Sequence, residues 1–326
     1  MKLPHRRRFL HLAAGAVALP VVSRIARAQA YPSRPVRIMY GFNDDLNIDI
    51  LVARQVSGWL SERLGQPFVI ETRLGLVTNL ATEAVVRAAA DGYTLLYATS
   101  ANAINATLYP NLNFNFIRDI TPIASIGRIA NIMEVNPSFP ATTVGEFISY
   151  AKANPGKVSY GSDGNGTTSH MSGELFKLMT GVNMVHVPYP IAPAALADLA
   201  AGQVQVVFGP IPMIEPVRAG KLRPLAVTTS MRSPMLPEIP AVSDFLPGYE
   251  SSAWFGFAAP KGTPVEVVDR LNKEINAGLA DPKLKARLAD WGVTVTAGSP
   301  ADFGKLIADE TEKWGKVIRA ANIKAE

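Results

Sequence analysis

Short apolar runs alternate with longer amphipathic stretches along this chain, and this alternation restricts its fold more than any other feature. Strands are predicted at 36–42, 68–71 and 93–99, with helices at 47–64 and 79–89 between them. A helix that connects two neighbouring strands of one sheet makes those strands parallel. The first third of the chain therefore predicts an α/β unit built on a parallel sheet.

The same alternation returns after a less regular stretch at 111–136. The elements predicted next are helix 144–153, strand 157–161, a helix from Thr167, strand 184–187, helix 194–200 and strand 204–208. The last third adds strands 222–228 and 253–258, a proline-rich passage at 234–247, and helices 265–279, 282–291 and 301–321. A chain of 326 residues, 48% of them hydrophobic, is large enough to form two lobes.

The stretch 158–181 carries the clearest functional signal. It reads as a strand, a loop rich in Gly, Ser and Thr, and a helix that ends at Gly181 and has an apolar stripe of Met171, Leu175, Leu178 and Met179. A helix N-terminus presents unpaired backbone N–H groups and a partial positive charge, and glycines let a ligand approach the backbone. This pattern predicts a cradle for a small anion, with contacts from Ser162, Gly166, Thr167 and Thr168.

Further ligand contacts are predicted beside this cradle. Pro188 and Tyr189 follow a strand and could form a corner that closes over the same ligand. Thr99 and Ser100 follow another strand and offer hydroxyl donors, although such residues also cap helices. His170 lies inside the helix after the glycine loop, where two interpretations stay open: a ligand contact, or a packed or capping histidine.

The sequence was also searched for residues that would indicate an enzyme. Ser162, Asp198 and either His170 or His186 could be imagined as a catalytic triad. The chain has no Gly-x-Ser-x-Gly elbow and no Walker loop, and the loop at 164–166 lacks the third glycine of a dinucleotide fingerprint. His186 also alternates with two valines, which predicts that it faces away from the side that they bury. The sequence therefore predicts a binding protein without a cofactor rather than an enzyme.

The basic charge of the chain is concentrated in its first 30 residues, which read as an export signal. Arg6-Arg7-Arg8-Phe9-Leu10 precedes an apolar stretch at 12–22, and Ala28-Gln29-Ala30 offers the small residues that a signal peptidase reads. The arginines followed by Phe-Leu fit a twin-arginine leader, and a general secretory leader stays open as the alternative. We expect cleavage after Ala30 and a soluble periplasmic product.

Removal of this leader changes the net charge of the chain, and with it the classes of partner that the composition favours. It takes away six basic residues and no acidic one, so the net charge falls from +5 to −1. The remaining chain has no basic run, which argues against nucleic-acid binding. The chain has no cysteine, and two of its four histidines lie in the leader. A disulfide framework and a structural zinc site are therefore excluded, and no catalytic metal site is expected.

Several motifs occur in the order found in one known family. They are Gly-Ser-x-Gly-x-Gly-Thr-x-x-His at 161–170, His-Val-Pro-Tyr at 186–189 and Ala-Gly-Gln-Val-Gln at 201–205, with further matches at 91–96, 220–228, 232–234 and 254–256. On these residues the chain resembles the Bug family. Its members are the TctC-like substrate-binding proteins of tripartite tricarboxylate transporters.

The resemblance implies a two-lobed periplasmic binding protein of the type II-like class, each lobe a mainly parallel sheet flanked by helices, with the ligand cleft between the lobes. Two strands would cross between the lobes as a hinge, with 31–128 and 252–326 in lobe one and 129–251 in lobe two. The implied role is that of a monomer that captures a small carboxylate-bearing ligand and delivers it to membrane permease subunits. A periplasmic module that presents its ligand to a signalling receptor stays open as the alternative.

The first lobe departs from the family pattern where a ligand is expected. The family loop after the first strand contains glycines and a Thr-Asp whose backbone holds a ligand carboxylate, whereas this chain has no glycine there. The corresponding contacts predicted here are Phe42, Asn43, Asp44, Asp45 and Asp49. Two interpretations stay open: Asp45 or Asn47 caps the following helix, or the lobe prefers an ammonium or neutral polar group or binds carboxylates weakly.

Overall fold

The computed structural model describes residues 31–42, 48–75, 77–211 and 214–325, and ten strands within these ranges are linked into one sheet with helices on its faces. The strands are β1 Val36–Tyr40, β2 Phe68–Thr72, β3 Thr94–Thr99, β4 Ile120–Val135, β5 Val158–Ser162, β6 Met184–Pro188, β7 Val206–Pro210, β8 Arg223–Val227, β9 Ser252–Pro260 and β10 Val293–Val295. The helices are α1 Ile48–Leu64, α2 Asn79–Val86, α3 Ser100–Leu108, α4 Val144–Ala153, α5 Thr168–Thr180, α6 Ala192–Ala200, α7 Glu215–Arg218, α8 Val265–Ala280, α9 Pro282–Asp290 and α10 Pro300–Ala320. The predicted leader at 1–30 lies outside the described residues.

Lobe one is built on the parallel strands that the alternating pattern predicted. β1 lies between β2 and β3, with Ile38 opposite Ile70 on one side and Leu95 on the other. Helices α1 and α8 cover one face of these strands, where Val52 and Leu271 are fully buried. Helix α2 and the first half of α10 cover the opposite face.

Two antiparallel strands, β4 and β9, connect the lobes. They pair from Ile120 opposite Pro260 to Ala130 opposite Ser252, and the end of β4 then pairs with β7 and β8 of lobe two. The prediction of an irregular stretch at 111–136 is therefore wrong over most of its length. β4 is buried at nearly every position and its register with β9 shifts twice, so it lacks the alternation that marks a half-buried strand.

Lobe two repeats the arrangement with a second set of parallel strands. β5 pairs in parallel with both β6 and β7, and β7 pairs antiparallel with β4. Helices α4 and α5 pack on one face of this sheet, and α6 packs on the other. The parallel pairs in both lobes thus join strands that helices separate in the chain, and every antiparallel pair among the described strands includes β4 or β9.

The buried side of α5 differs from the predicted stripe. Met171 and Leu175 are buried, together with Phe176, which the stripe did not include. Leu178 and Met179 were predicted to be buried, but 49% and 38% of their surface is exposed. Leu178 and Met179 therefore lie on the solvent side of the last turn, while Thr180 at its end is buried.

Besides β4, the elements α3, α7 and β10 of the described chain were not predicted. Helix α3 follows β3 directly, and like α10 it contacts the cores of both lobes. Ala103 and Phe303 pack in lobe one, whereas Ile104 and Trp314, from the same two helices, pack in lobe two. Within the described ranges, no helix has the length and apolar character needed to cross a bilayer.

Candidate ligand-binding site

The candidate site lies where the carboxyl ends of parallel strands from the two lobes approach each other. β1 and β3 end at Tyr40 and Thr99 in lobe one, and β5 and β6 end at Ser162 and Pro188 in lobe two. Gly166, in the loop after β5, has no room for a side chain because α3 of lobe one lies against it. Crevices at the carboxyl ends of parallel strands are where small ligands usually bind.

Stacked rings fix the conformation of the loop after β5. The imidazoles of His170 and His186 are stacked with their centroids 4.0 Å apart, and the Tyr160 ring lies 4.8 Å from His186. His186 Nε2 is 2.6 Å from Ser162 Oγ, and the Gly166 N–H donates to His170 Nδ1 at 3.2 Å. The prediction that His186 faces away from the buried side is wrong.

Both imidazoles are neutral near pH 7. The pKa of His186 is lowered to about 3, mainly by burial, with smaller contributions from His170 and Lys177 and an opposing effect of Glu174. Burial and the charge of Lys177 lower the pKa of His170 to about 4. A neutral imidazole accepts a hydrogen bond at one nitrogen and donates at the other. The two rings therefore hold the loop without bringing positive charge to the cleft.

The start of α5, predicted to cradle an anion, has an acidic side chain beside it. Thr167 caps the helix by accepting a hydrogen bond from the His170 N–H at 3.3 Å, and its hydroxyl donates to the Gly164 carbonyl at 2.8 Å. The Asp163 carboxyl lies in the same loop and interacts with the hydroxyls of Thr167 and Ser169. A ligand carboxylate that approached this helix would meet a like charge.

The charge of Asp163 also reaches Asp49 of lobe one. Asp49 lies in the first turn of α1, and burial together with the charge of Asp163 raises its pKa to about 7. Burial raises the pKa of Asp163 as well, and the hydroxyls of Thr167 and Ser169 only partly offset this. The carboxyl of Asp163 in lobe two therefore acts on the carboxyl of Asp49 in lobe one.

Two buried polar atoms near this pair have no hydrogen-bond partner within the described part of the chain. One is Oδ1 of Asp163, and the other is the hydroxyl of Tyr97 on β3. Burial raises the pKa of Tyr97 well above its usual range, and the charge of Asp49 adds to this effect. Because buried polar groups are nearly always paired, such atoms need an explanation.

Tyr189 after β6 is bonded to β5 through its backbone, and its hydroxyl is engaged on the α6 side, so a role of this corner in covering the ligand stays a prediction. The Tyr189 N–H donates to the Ser162 carbonyl at 2.9 Å, and its hydroxyl donates to Asp198 at 2.7 Å. Burial and this hydrogen bond raise the pKa of Tyr189 to about 12. Its ring packs against Gly161, and Pro188 beside it is exposed.

Thr99 and Ser100 are buried at the start of α3. The Thr99 N–H donates to Asn102 Oδ1 at 2.8 Å, while Thr99 Oγ1 has no partner in the described ranges. The Asn102 amide donates to the hydroxyls of Thr78 and Thr82 at 2.9 and 2.8 Å, which ties α3 to the start of α2. Thr99 Oγ1 is therefore a buried hydroxyl without a hydrogen-bond partner among the described residues.

The remaining predicted contacts are divided between described and undescribed residues. Thr168 is the first residue of α5, and the Phe42 ring lies 5.9 Å from the ring of Tyr40 after β1. Three others, Asn43, Asp44 and Asp45, lie outside the described residues. Both interpretations of the loop after β1 therefore stay predictions.

The residues considered for a triad do not form one. Ser162 Oγ contacts His186, but Ser162 is completely buried and so is closed to a substrate. Asp198 binds Tyr189 rather than a histidine. An imidazole whose pKa is near 3 is a weak general base. The pair therefore has a structural role in the loop.

Comparison with known proteins shows to which family the chain belongs. The model of the tripartite tricarboxylate transporter family receptor, TctC, matches residues 52–323. The chain belongs to this receptor family. It is 31% identical to the protein BugT of Bordetella pertussis over 319 residues, which cover 97% of this chain and 96% of BugT. The resemblance to the Bug family is thereby confirmed.

Solved structures of other proteins share the fold of this TctC-like receptor. Rpa4515 of R. palustris, solved with adipate, is 38% identical with a TM-score of 0.79, and the match covers 90% of this chain and 99% of that one. MatC of Rhodopseudomonas palustris, solved with bound malate, is 29% identical with a TM-score of 0.76 over 88% of this chain and all of that one. The predicted two-lobed binding-protein fold is confirmed.

Sequence reasoning missed three residues that shape the receptor's cleft: Asp163, Tyr97 and Asn105. Asp163 occupies a variable position of the glycine-loop motif, and an acidic residue inside an expected anion cradle was the available signal. Asn105 donates to the Val77 carbonyl and, at 3.2 Å, to Asn79 Oδ1, so it holds the loop before α2. No local pattern marks Tyr97 or Asn105, because their partners are distant in the sequence.

Proposed function

We propose that this receptor is a periplasmic solute-binding protein. It captures a small organic, carboxylate-bearing ligand between its lobes and delivers it to the membrane subunits of a tripartite tricarboxylate-type transporter. Family membership and the relatives solved with adipate and malate support this role. The export signal proposed at 1–30 would bring the chain to the periplasm.

The observation that carries the proposal is that both lobes have buried polar groups without hydrogen-bond partners at the cleft. Thr99 and Tyr97 of lobe one and Asp163 of lobe two each have a buried side-chain oxygen without a hydrogen-bond partner in the described chain. A bound solute with several polar atoms would satisfy such groups, and closure of the lobes would bury it.

We also propose that the chain divides into two lobes at the crossing strands. Residues 31–128 and 252–326 would move as one body and 129–251 as the other, with β4 and β9 as the connections between them. Arg128 lies opposite Trp254 and Ala130 lies opposite Ser252 in the antiparallel pair of β4 and β9. In this proposal the two strands therefore pass between the lobes side by side. Two adjacent crossings allow one lobe to rotate relative to the other.

Thermal unfolding of the mature chain with a panel of ligands tests the binding role. The panel contains dicarboxylates, aromatic acids, amino acids and neutral amides. A ligand present at about 100 times its dissociation constant adds roughly 2.7 kcal/mol to the free energy of unfolding, which raises the midpoint measurably. We expect a saturable shift with at least one carboxylate-bearing class.

Deletion of the gene then tests delivery. Uptake of the ligand identified by unfolding should be lost in the deletion strain and return when the chain is supplied. Absence of a shift with every class would contradict the binding role. A shift without any loss of uptake would contradict the transport role and favour a sensing module.

A further inference from the structure

We propose that Asn79, at the start of α2, binds a carboxylate oxygen of the ligand through its side-chain amide, and that Asn105 of α3 is the positioning residue that holds it there. Neither residue is among the contacts that the sequence predicts. This inference rests on the proposed function, because it assumes that the cleft takes up a small carboxylate-bearing solute.

The first support is the backbone conformation of the loop before α2. Val77 has a φ of 45° and Thr78 a φ of 72°, and both values lie in the left-handed region that favours glycine. For a β-branched residue this conformation costs free energy, and such strain persists only where the surrounding structure enforces it. Other parts of the molecule therefore hold this loop in place.

Two asparagines of α3 provide that support. The Asn105 amide donates to the Val77 carbonyl and, at 3.2 Å, to Asn79 Oδ1. The Asn102 amide donates to the Thr78 hydroxyl at 2.9 Å. Both asparagines are buried, so water does not compete for these hydrogen bonds. Asn105 thus fixes both the strained backbone and the side chain of Asn79.

The second support is the unsatisfied amide nitrogen of Asn79. The residue is only 3% exposed and its Oδ1 accepts from Asn105, yet its Nδ2 has no hydrogen-bond partner among the residues that the structure describes. The hydroxyl of Thr99 is a second such group, and Asn102 bonds both Thr99 and Thr78, which keeps it near the loop. An amide nitrogen and a hydroxyl can both donate, and a carboxylate accepts. These unsatisfied groups therefore match a ligand carboxylate.

The third support is that Asn105 also reaches lobe two. Gly166 lies in the loop before α5, and a methyl group added there would be 3.6 Å from Asn105 Oδ1 and 2.8 Å from Leu108. Asn105 therefore lies between this loop and the loop before α2, so the amide that it holds is at the boundary between the lobes. The asparagine and threonine side chains of this cluster are uncharged, so they do not repel a carboxylate as Asp163 would.

Isothermal titration calorimetry of the mature chain with succinate, glutarate and adipate tests both roles. Asn79→Ala removes the proposed contact with the carboxylate, and Asn105→Ala removes the support of that contact. Each substitution should weaken binding of the tightest of the three dicarboxylates by about tenfold or more, because a hydrogen bond to a charged group is lost.

Val77→Gly separates the positioning residue from the contact residue. Glycine adopts a positive φ without strain, so the loop keeps its conformation without help from Asn105. In the Asn105→Ala background, Val77→Gly should therefore restore the affinity to within about threefold of that of the parent chain. In the Asn79→Ala background it should restore nothing, because the contact itself is missing.

Asn276→Ala is the matched control for Asn105→Ala. Asn276 on α8 makes the same kinds of hydrogen bond outside the candidate site, to Asn272 Oδ1 at 3.0 Å and to the Gly298 carbonyl at 2.9 Å. Its loss should lower the urea midpoint of unfolding but leave the affinity for the dicarboxylate unchanged. Melting curves without ligand establish that each variant is folded.

Urea unfolding without ligand provides a second readout for Asn105. Val77→Gly relieves strain only while Asn105 enforces it, so its effect on the unfolding midpoint should differ between the parent chain and Asn105→Ala. Equal effects in the two backgrounds would show that Asn105 does not hold the loop, and would overturn its positioning role.

The outcomes distinguish this proposal from the one on which it rests. Unchanged affinity in Asn79→Ala would overturn the carboxylate contact, and a loss in Asn105→Ala that Val77→Gly does not restore would overturn the positioning role, while the solute-binding function stands. Failure of all three dicarboxylates to bind the parent chain would also overturn the contact, and a negative result with the wider ligand panel would then remove the solute-binding role too.

Discussion

At the scale of single residues, Glu134 is the most unusual side chain outside the cleft. It lies on β4, is only 2% exposed, and its Oε2 has no hydrogen-bond partner in the described chain. Gly209 on β7 lies beside this oxygen, which is 3.6 Å from the position that a Cβ on this glycine would take. Burial therefore raises the pKa of Glu134 from 4.5 to about 8.

The raised pKa predicts how stability changes with pH. Glu134 is protonated in the folded chain over a range where the unfolded chain has lost that proton. Its contribution is complete below about pH 4.5 and is lost as the pH rises toward 8. Glu134→Gln should remove this loss, which amounts to a few kcal/mol between about pH 5 and pH 9. Melting temperatures of both proteins across that range measure the difference, and equal slopes would contradict the prediction.

Gly173 of α5 provides a second prediction at this scale. A methyl group there would lie 2.8 Å from Cζ of Tyr160, whose hydroxyl bonds Glu174 at 2.6 Å and whose ring lies against His186. Gly173→Ala should therefore destabilise the chain by about 1–3 kcal/mol, although alanine favours a helix. Urea unfolding measures the change.

Gly145→Ala is the matched control for Gly173→Ala. Gly145 lies in α4, and nothing lies within 4 Å of the position its methyl group would take. This variant should be neutral or stabilise the chain by up to about 1 kcal/mol, since the helix propensity of alanine then acts alone. Equal effects of the two substitutions would show that Tyr160 does not limit the space at Gly173.

At the scale of elements, the two crossing strands are tied to α10 by a network of charges. Glu250 precedes β9 and is 3.2 Å from Arg128 on β4 and 2.8 Å from Lys313 on α10. Lys313 is also 2.7 Å from Glu310, which accepts a hydrogen bond from Trp314. The network joins three elements that contact both lobes. It therefore fixes how α10 lies over the crossing.

Glu250→Gln should weaken this junction. Burial alone would raise the pKa of Glu250, but Lys313 and Arg128 outweigh it, so the pKa lies below its ordinary value. The stabilisation is therefore present at neutral pH and is lost as the pH falls through that lowered value. We expect a loss of about 1–3 kcal/mol at pH 7 and little difference in acid, by urea unfolding.

Glu312→Gln is the control on the same helix. Glu312 pairs with Lys316 on the exposed side of α10, where solvent screens the interaction. No measurable change in stability is expected. If Glu250→Gln behaved in the same way as Glu312→Gln, the junction would have no role in holding α10.

At the scale of the whole molecule, ligand binding should bring the two lobes closer. Val69 on β2 and Val185 on β6 are exposed at 46% and 47%, and their strands lie at opposite ends of the sheet order. The chain has no cysteine, so Val69→Cys and Val185→Cys can be spin-labelled without interference. Pulsed electron paramagnetic resonance should give a shorter distance between the two labels with bound ligand than without it.

A label pair inside lobe one is the control for this measurement. Val265 on α8 is 68% exposed and belongs to the same lobe as Val69. The distance between labels at these two positions should be the same with and without ligand. An unchanged distance between the lobes under saturating ligand would contradict closure.

Much of this architecture could be predicted because it depends on neighbours in the chain. The order of strands and helices follows from local periodicity, and α5 ends at Gly181, which has the left-handed φ of 70° that glycine readily adopts. The family followed from motifs at 161–170 and 186–189. Strand β4 could not be predicted in this way, since burial on both faces removes the alternation on which such a prediction relies.

For the candidate site, the sequence indicated which loops and strand ends to consider, but not their charge and burial. The sequence by itself determined that a glycine loop would start α5 and that strand ends would form a cleft. Only the tertiary structure turned His186 inward to Ser162 and brought Asp163 of one lobe within the electrostatic reach of Asp49 of the other. The physical reason is that local periodicity acts over a few residues, whereas the charge and burial of a site depend on groups that only folding brings together.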